Sequence, residues 1–155
     1  MPVKRLPISV RGENLRIGIV LSRLNSNVGD GLLAGALRAL KEAGVRDDDI
    51  VIASVPGALE TPLALQSLAQ SDAYDALLAL GAVIRGDTYH FEIVANESAR
   101  GLSEVALEFG IPVGNGILTC ETDAQAEARM DAKGFEAAQA ALEVANLLDA
   151  IADAD

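Results

Sequence analysis

The sequence predicts an α/β domain: a four-stranded parallel sheet with helices on both faces, a three-layer α/β/α sandwich. Three observations point to it. Four short runs (residues 15–22, 50–55, 76–84 and 113–119) are apolar almost throughout, as strands covered on both faces must be. Each run is followed by a stretch whose apolar residues recur at helical spacing. Breaks bearing glycine or proline punctuate the alternation, and strand–helix repeats of this kind build parallel sheets.

Residues 1–14 are polar and without a clear period and form an N-terminal arm; residues 15–155 form one domain. The first strand, 15–22, is buried on both faces. Residues 25–30 read as a turn. Leu32, Leu33, Ala36, Leu37 and Leu40 then mark the first helix, and Gly44 is placed to stop it. Asp47, Asp48 and Asp49 form an acidic, helix-free loop before the second buried strand, 50–55. Pro56-Gly57 ends that strand, and Thr61-Pro62 opens the second helix with a capping hydroxyl and a proline in the first position. The third strand is 76–84. The third helix covers 89–109, with Phe91, Val94, Ser98, Leu102, Val105 and Phe109 on its inward stripe, and Gly110-Ile111-Pro112 stops it. After the fourth strand, residues 123–150 are helical, with a break at Lys133-Gly134.

Composition removes whole classes of function. At 155 residues the chain is long enough for one proper core, and with three Phe, two Tyr and no Trp that core must be aliphatic. A formal charge of −11 argues against a nucleic-acid partner, which needs a basic footprint. The longest apolar run, 76–84, falls far short of the roughly 18 residues a membrane span requires. No signal-like start is visible, so the expectation is a soluble, cytoplasmic protein with no membrane partner. The single Cys120 suits a reducing compartment and reads as a packing residue. Gly29-Asp30-Gly31-Leu32-Leu33-Ala34 fits a dinucleotide fingerprint only on paper: it lies too far beyond the first strand, and no acid ends the second. One His and one Cys in separate elements give no metal-ligand spacing.

In open parallel sheets ligands bind beyond the carboxyl ends of the strands, and the polar residues of this chain cluster there. After the third strand, Arg85-Gly86-Asp87-Thr88 leads into a helix that carries the only histidine, His90, near its first turn. Unpaired N–H groups and the positive end of a helix dipole favour an anion at such a place. A histidine side chain beside that anion can give and take protons. The expectation is acid–base chemistry on a phosphorylated small molecule. Arg85, Arg129 and Lys133 are the cations placed to make such a site locally positive. The plainer readings make Glu60 a first-turn acid and Arg129 a surface residue paired with Glu127 or Asp131.

Several segments, in order between residues 15 and 148, carry a family resemblance. They are Pro56-Gly57-Ala58-Leu59-Glu60-Thr61-Pro62, the block Gly81-Ala82-Val83-Ile84-Arg85-Gly86-Asp87-Thr88-Tyr89-His90, and Asn96-Glu97-Ser98-Ala99-Arg100-Gly101-Leu102. Pro112-Val113-Gly114-Asn115-Gly116-Ile117-Leu118-Thr119 follows, then Glu121-Thr122 with Gln125, Arg129 and Lys133-Gly134. Together they resemble the 6,7-dimethyl-8-ribityllumazine synthase family of riboflavin biosynthesis. The resemblance implies a flavodoxin-like fold and a transferase. The implied reaction condenses 5-amino-6-ribitylaminouracil with 3,4-dihydroxy-2-butanone 4-phosphate, releasing phosphate and water, without cofactor or metal. It implies His90 as general acid/base, and Gly86, Asp87 and Thr88 as phosphate ligands with Arg129 of a neighbouring subunit. Leu24, Ala58, Leu59, Glu60, Ala82, Val83, Ile84, Asn115 and Lys133 would contact the ribitylaminouracil. Homopentamers with sites between adjacent subunits, some packed into shells, are implied as well.

Two departures from the pattern stand out. The family usually carries aromatic residues where this chain has Leu24 and Asn115, so heterocycle affinity is expected to be weaker. The link Met130-Asp131-Ala132 before Lys133-Gly134 is short, which leaves the last two helices little room to turn and favours free pentamers over shells. Two other readings remain open on sequence. One is a non-catalytic flavin or lumazine binder, which the missing aromatics oppose. The other is a phosphorylatable receiver domain using Asp87, which the lack of an acidic pair after the first strand opposes.

Overall fold

All four expected strands form. The computed structural model describes residues 2–154, in which β1 (Ile17–Ser22), β2 (Ile50–Val55), β3 (Ala76–Ile84) and β4 (Val113–Cys120) pair in parallel in the order β2-β1-β3-β4. The register runs from Ile17 opposite Ile50 and Ala76 to Ile84 opposite Cys120. Between the strands lie α1 (Ser26–Glu42), α2 (Thr61–Gln70) and α3 (His90–Phe109), and α4 (Asp123–Asp153) follows β4. The expected three-layer α/β arrangement is borne out.

Two aliphatic cores flank the sheet. On one face Ile17, Ile19, Leu78 and Leu80 pack with Leu32 and Leu40 of α1 and with Ala138 and Leu142 of α4. On the other, Val20, Leu77 and Ala79 pack with Leu65 of α2 and with Leu102 and Val105 of α3. Each fully buried Leu or Ile contributes about 1.5–3 kcal/mol. Cys120 is buried in the first of these cores, as a packing residue should be. Among the described residues, no helix is long and apolar enough to cross a membrane.

Several local expectations are corrected. Strand β1 starts at Ile17 instead of residue 15, because the Leu15 N–H turns back to the Gly12 carbonyl at 3.0 Å. Helix α1 starts at Ser26, inside the expected turn: Asn25 takes the left-handed conformation (φ 58°) and launches the helix at once. Asp47–Asp49 is a single 3-10 turn instead of a helix-free loop. Strand β2 is not buried on both faces; it is the sheet edge, and Val51 and Ile52 are exposed. The Thr61 hydroxyl does not cap α2 but donates to the Ala58 carbonyl at 2.7 Å, closing the 3-10 turn Ala58–Glu60.

The largest correction concerns α4, which has no break at Lys133-Gly134 and runs unbroken for 31 residues. Gly134 serves a crossing instead. A Cβ there would lie 2.0 Å from the Leu32 carbonyl oxygen, and one on Gly35 would lie 2.2 Å from that of Asp131. Only glycine lets α1 and α4 approach this closely. With no turn inside α4, the short Met130-Asp131-Ala132 link is simply helix.

The chain winds from β1 outward to β2, then returns to β3 and continues outward to β4. The winding reverses between β1 and β3, and the crevice beyond their carboxyl ends is where such sheets bind ligands.

Candidate active site

A cleft of about 170 Å³ opens at this reversal point. Leu24 and Asn25 enter it from the end of β1, and Ala58 from the turn after β2. Ala82, Val83 and Ile84 come from the end of β3, Gly86 and Thr88 from the β3–α3 turn, and His90, Phe91 and Val94 from α3. Eight of the residues expected at the site therefore share one cleft: Leu24, Ala58, Ala82, Val83, Ile84, Gly86, Thr88 and His90. The sequence explains their placement. Strand β3 is apolar to its last residue, and the non-helical Arg85-Gly86-Asp87-Thr88 segment then releases the chain into α3 with His90 as its first residue.

The turn is electrostatically prepared for an anion. The Thr88 hydroxyl accepts from the His90 N–H at 3.3 Å. The N–H groups of Gly86, Asp87 and Thr88 find no acceptor among the described residues, and they lie just ahead of the positive end of a 20-residue helix. A Cβ built on Gly86 would meet nothing within 4 Å, so the turn holds open space at that point. The His90 side chain is exposed at the cleft mouth.

Arg85 corrects one expectation. Its guanidinium donates to Glu92 Oε1 and Glu121 Oε2, each at 2.5 Å, and lies 4.4 Å from the centroid of the Phe91 ring. Beside it the Glu92 carboxyl is held below the usual carboxylate range. A cation shared by two carboxylates gives the neighbouring turn no net positive charge.

The remaining expected residues lie elsewhere on the chain. Arg129 and Lys133 are one helical turn apart on α4 and line a separate cleft of about 580 Å³ at the outer edge of β4, with Ile117, Thr119 and Gln125. Arg129 pairs with neither Glu127 nor Asp131; it donates to the Gln125 carbonyl at 2.9 Å, while Asp131 pairs with Arg38. Asn115 is level with Ala79, three residues short of Ala82, which is about 10 Å along a strand. Its Oδ1 accepts from the Ile117 N–H at 3.0 Å. Leu59, Glu60 and Asp87 are exposed and do not line the His90 cleft.

Sequence reasoning missed three contributors as site residues: Asn25, Phe91 and Val94. Phe91 and Val94 were legible only as core-facing helix positions, yet at the first turn the inward stripe faces the cleft. Asn25 carried a signal, since asparagine tolerates the left-handed conformation better than most residues. Among the described residues no group of three or more His, Cys, Asp or Glu could hold a metal ion.

Comparison with known proteins identifies a family. The family model described as 6,7-dimethyl-8-ribityllumazine synthase matches residues 14–149. The chain is 58% identical to the 6,7-dimethyl-8-ribityllumazine synthase of Methylobacillus flagellatus, over 94% of this chain and 98% of that protein. It is 59% identical to the enzyme of that name from Nitrosomonas europaea, over 88% and 84% of the two chains. For the one from Paraburkholderia phymatum the identity is 53%, over 100% and 90%.

Proposed function

Because this chain belongs to the 6,7-dimethyl-8-ribityllumazine synthase family, and so catalyses the penultimate step of riboflavin biosynthesis, we propose that the His90 cleft is where it does so. The reaction condenses 5-amino-6-ribitylaminouracil with 3,4-dihydroxy-2-butanone 4-phosphate to 6,7-dimethyl-8-ribityllumazine, phosphate and water. The observation that carries the assignment of the site is the convergence of eight family-matched residues on one cleft at the sheet's reversal point.

The chemistry suits the groups present. The uracil's primary amine adds to the ketone and water leaves, giving an imine. Phosphate is then eliminated, and the ribityl-bearing nitrogen closes the second ring with loss of a further water. Each step moves a proton, and His90 at the cleft mouth takes the role of general acid and base. The free N–H groups at Gly86, Asp87 and Thr88 receive the phosphate, both while it anchors the substrate and while it departs. Main-chain groups of Ala82, Val83 and Ile84 hold the pyrimidine beside Ala58, and the ribityl chain extends out of the cleft to Leu59 and Glu60 on the exposed turn that follows. Bringing two substrates together in one cleft supplies much of the acceleration by itself.

One chain carries this site in two pieces. Arg129, Lys133 and Asn115 complete it from an adjacent subunit in a cytoplasmic homopentamer; with no turn inside α4, the short link no longer argues against a shell, and the free ring is kept as the simpler assembly. The support is that Arg129 and Lys133 line a cleft beside β4 apart from His90, and that Asn115 opens on a second cleft there, lined by Val113, Val144 and Leu148. Incubation with both substrates tests the whole reading: lumazine absorbance and phosphate must rise together. Riboflavin binding without lumazine formation would instead favour the binding-protein reading, and light scattering at the mass of about 60 subunits would refute the free ring.

A further inference from the structure

Arg85 immediately precedes the phosphate-receiving turn in the same chain, so its sequence position suggests an anion ligand. Its surroundings assign it different work. The side chain reaches Glu92 in the first turn of α3 and Glu121 just past β4, and covers one face of Phe91. Its main-chain N–H donates to the Cys120 carbonyl at 2.9 Å. Glu121 is itself fastened, its N–H donating to Gln125 Oε1 at 2.8 Å in the first turn of α4. One guanidinium thus ties the ends of β3 and β4 to the start of α3. Of the α3 residues that line the cleft, His90 and Phe91 sit on the turn that is tied and Val94 directly follows it.

We propose that Arg85 is a positioning residue: it locks the first turn of α3 through Glu92, Glu121 and Phe91, so that His90 meets the substrates in a productive pose, and it does not bind the phosphate. The inference rests on the His90 cleft being the site of lumazine formation. Its physical basis is the sensitivity of catalysis to pose, since a displacement of about 1 Å can cost on the order of 100-fold in rate. The guanidinium is suited to this in a way that lysine is not. Its planar fork serves two carboxylates at once while its face stacks on an aromatic ring; an ammonium is a point charge with neither property. Lysine is nevertheless a good phosphate ligand. The two roles therefore respond oppositely to the same substitution.

The test compares wild type with Arg85→Lys, Arg85→Ala and Glu121→Gln in steady-state lumazine formation. Each substrate is varied in turn, inorganic phosphate serves as a competing inhibitor, and thermal melting monitors folding. The expected result is a roughly 10–100-fold fall in kcat for both Arg85 variants and a smaller fall for Glu121→Gln. KM for the phosphorylated ketone and inhibition by phosphate should shift by less than about threefold, because no phosphate ligand is lost. Recovery of kcat in Arg85→Lys would overturn the proposal, as would an unchanged kcat across the series. So would a tenfold rise in that KM for Arg85→Ala that lysine restores, since that pattern marks an anion ligand. Should Arg85→Ala fail to fold, Arg85→Lys and Glu121→Gln decide between the same outcomes. Wild type that makes no lumazine would refute the reading of the cleft itself, a result distinct from any pattern among the variants.

Discussion

Gly86→Ala separates what the β3–α3 turn needs for folding from what it needs for its ligand. A Cβ at this position meets no atom within 4 Å, and the backbone lies outside the left-handed region, so alanine fits the folded chain without strain. Substituting glycine at such a position restricts the unfolded chain and stabilises by about 0.4–1 kcal/mol. For a domain of this size Tm should rise by roughly 1–4 °C. Folding therefore supplies no reason for glycine at residue 86. The ligand does, because the methyl group enters the space beside the free N–H groups that the phosphate is proposed to occupy. Losing one charge-assisted hydrogen bond costs about 1.5–3 kcal/mol. That corresponds to a KM for the phosphorylated ketone raised on the order of 10–150-fold. The effect on kcat should be smaller, since Gly86 transfers no proton. Lumazine formation at varied ketone concentration, read beside a thermal melt, checks both halves. A raised Tm with an unchanged KM would refute the assignment of this turn to phosphate.

His90→Ala should lower kcat by roughly 10²–10⁴-fold, leaving the catalysis that comes from holding the substrates together, and should leave Tm unchanged because the side chain is exposed. Gly134→Ala should destabilise by about 1–3 kcal/mol or more in a denaturant titration, because its methyl would fall 2.0 Å from the Leu32 carbonyl oxygen. The Arg38 guanidinium holds the Asp131 carboxyl below its ordinary value of 3.8, so this pair stabilises fully above that value and its contribution fades as pH falls through the lowered one. Asp131→Asn should therefore flatten the acid limb of Tm against pH. The change should be small and salt-sensitive, since both partners are exposed.

Where burial sets the pattern, the fold was legible in the sequence. Strand β3 is buried along almost its whole length, and its boundaries follow directly from the unbroken apolar run. Strand β2 reads the same way, yet it lies at the edge with Val51 and Ile52 exposed; apolarity reports that a side chain needs cover, not which chain supplies it. Glycine gave two misreadings with one cause. Gly29 suggested a turn and Gly134 a break, but both stand inside helices. Their absent side chains answer to backbone on other elements: the Ser22 carbonyl at the end of β1 for Gly29, and the Leu32 carbonyl of α1 for Gly134. Local pattern carries no trace of such contacts. The same limit applies at the site. That His90, Gly86 and Thr88 would share one cleft was legible because a strand end and a helix start fix them locally, whereas the pairing of Arg85 depended on Glu121, 36 residues away.

The proposed division of the site between two chains has a consequence for symmetry. The His90 cleft lies at the reversal point between β1 and β3, and Arg129 lies beyond β4 at the far edge. A two-fold contact sets residue i of one chain against residue j of its partner and j against i, so it could join His90 to Arg129 only if both belonged to one self-complementary patch. Because the two residues line separate clefts, the arrangement we propose is head-to-tail, one chain's His90 cleft against the next chain's Arg129, which closes into a ring. Every interface in such a ring then holds one site with contributions from two chains. Mixing His90→Ala subunits with Arg129→Ala subunits and reassembling them should accordingly recover activity that neither variant has alone. At equal proportions and random order, about one interface in four joins an intact His90 to an intact Arg129, so recovery should approach a quarter of the wild-type rate. A site completed within one chain predicts no recovery, because every chain in the mixture lacks one of the two groups. Lumazine formation that never exceeds the mean of the two separate variants would thus rule out the shared site, whatever the size of the assembly.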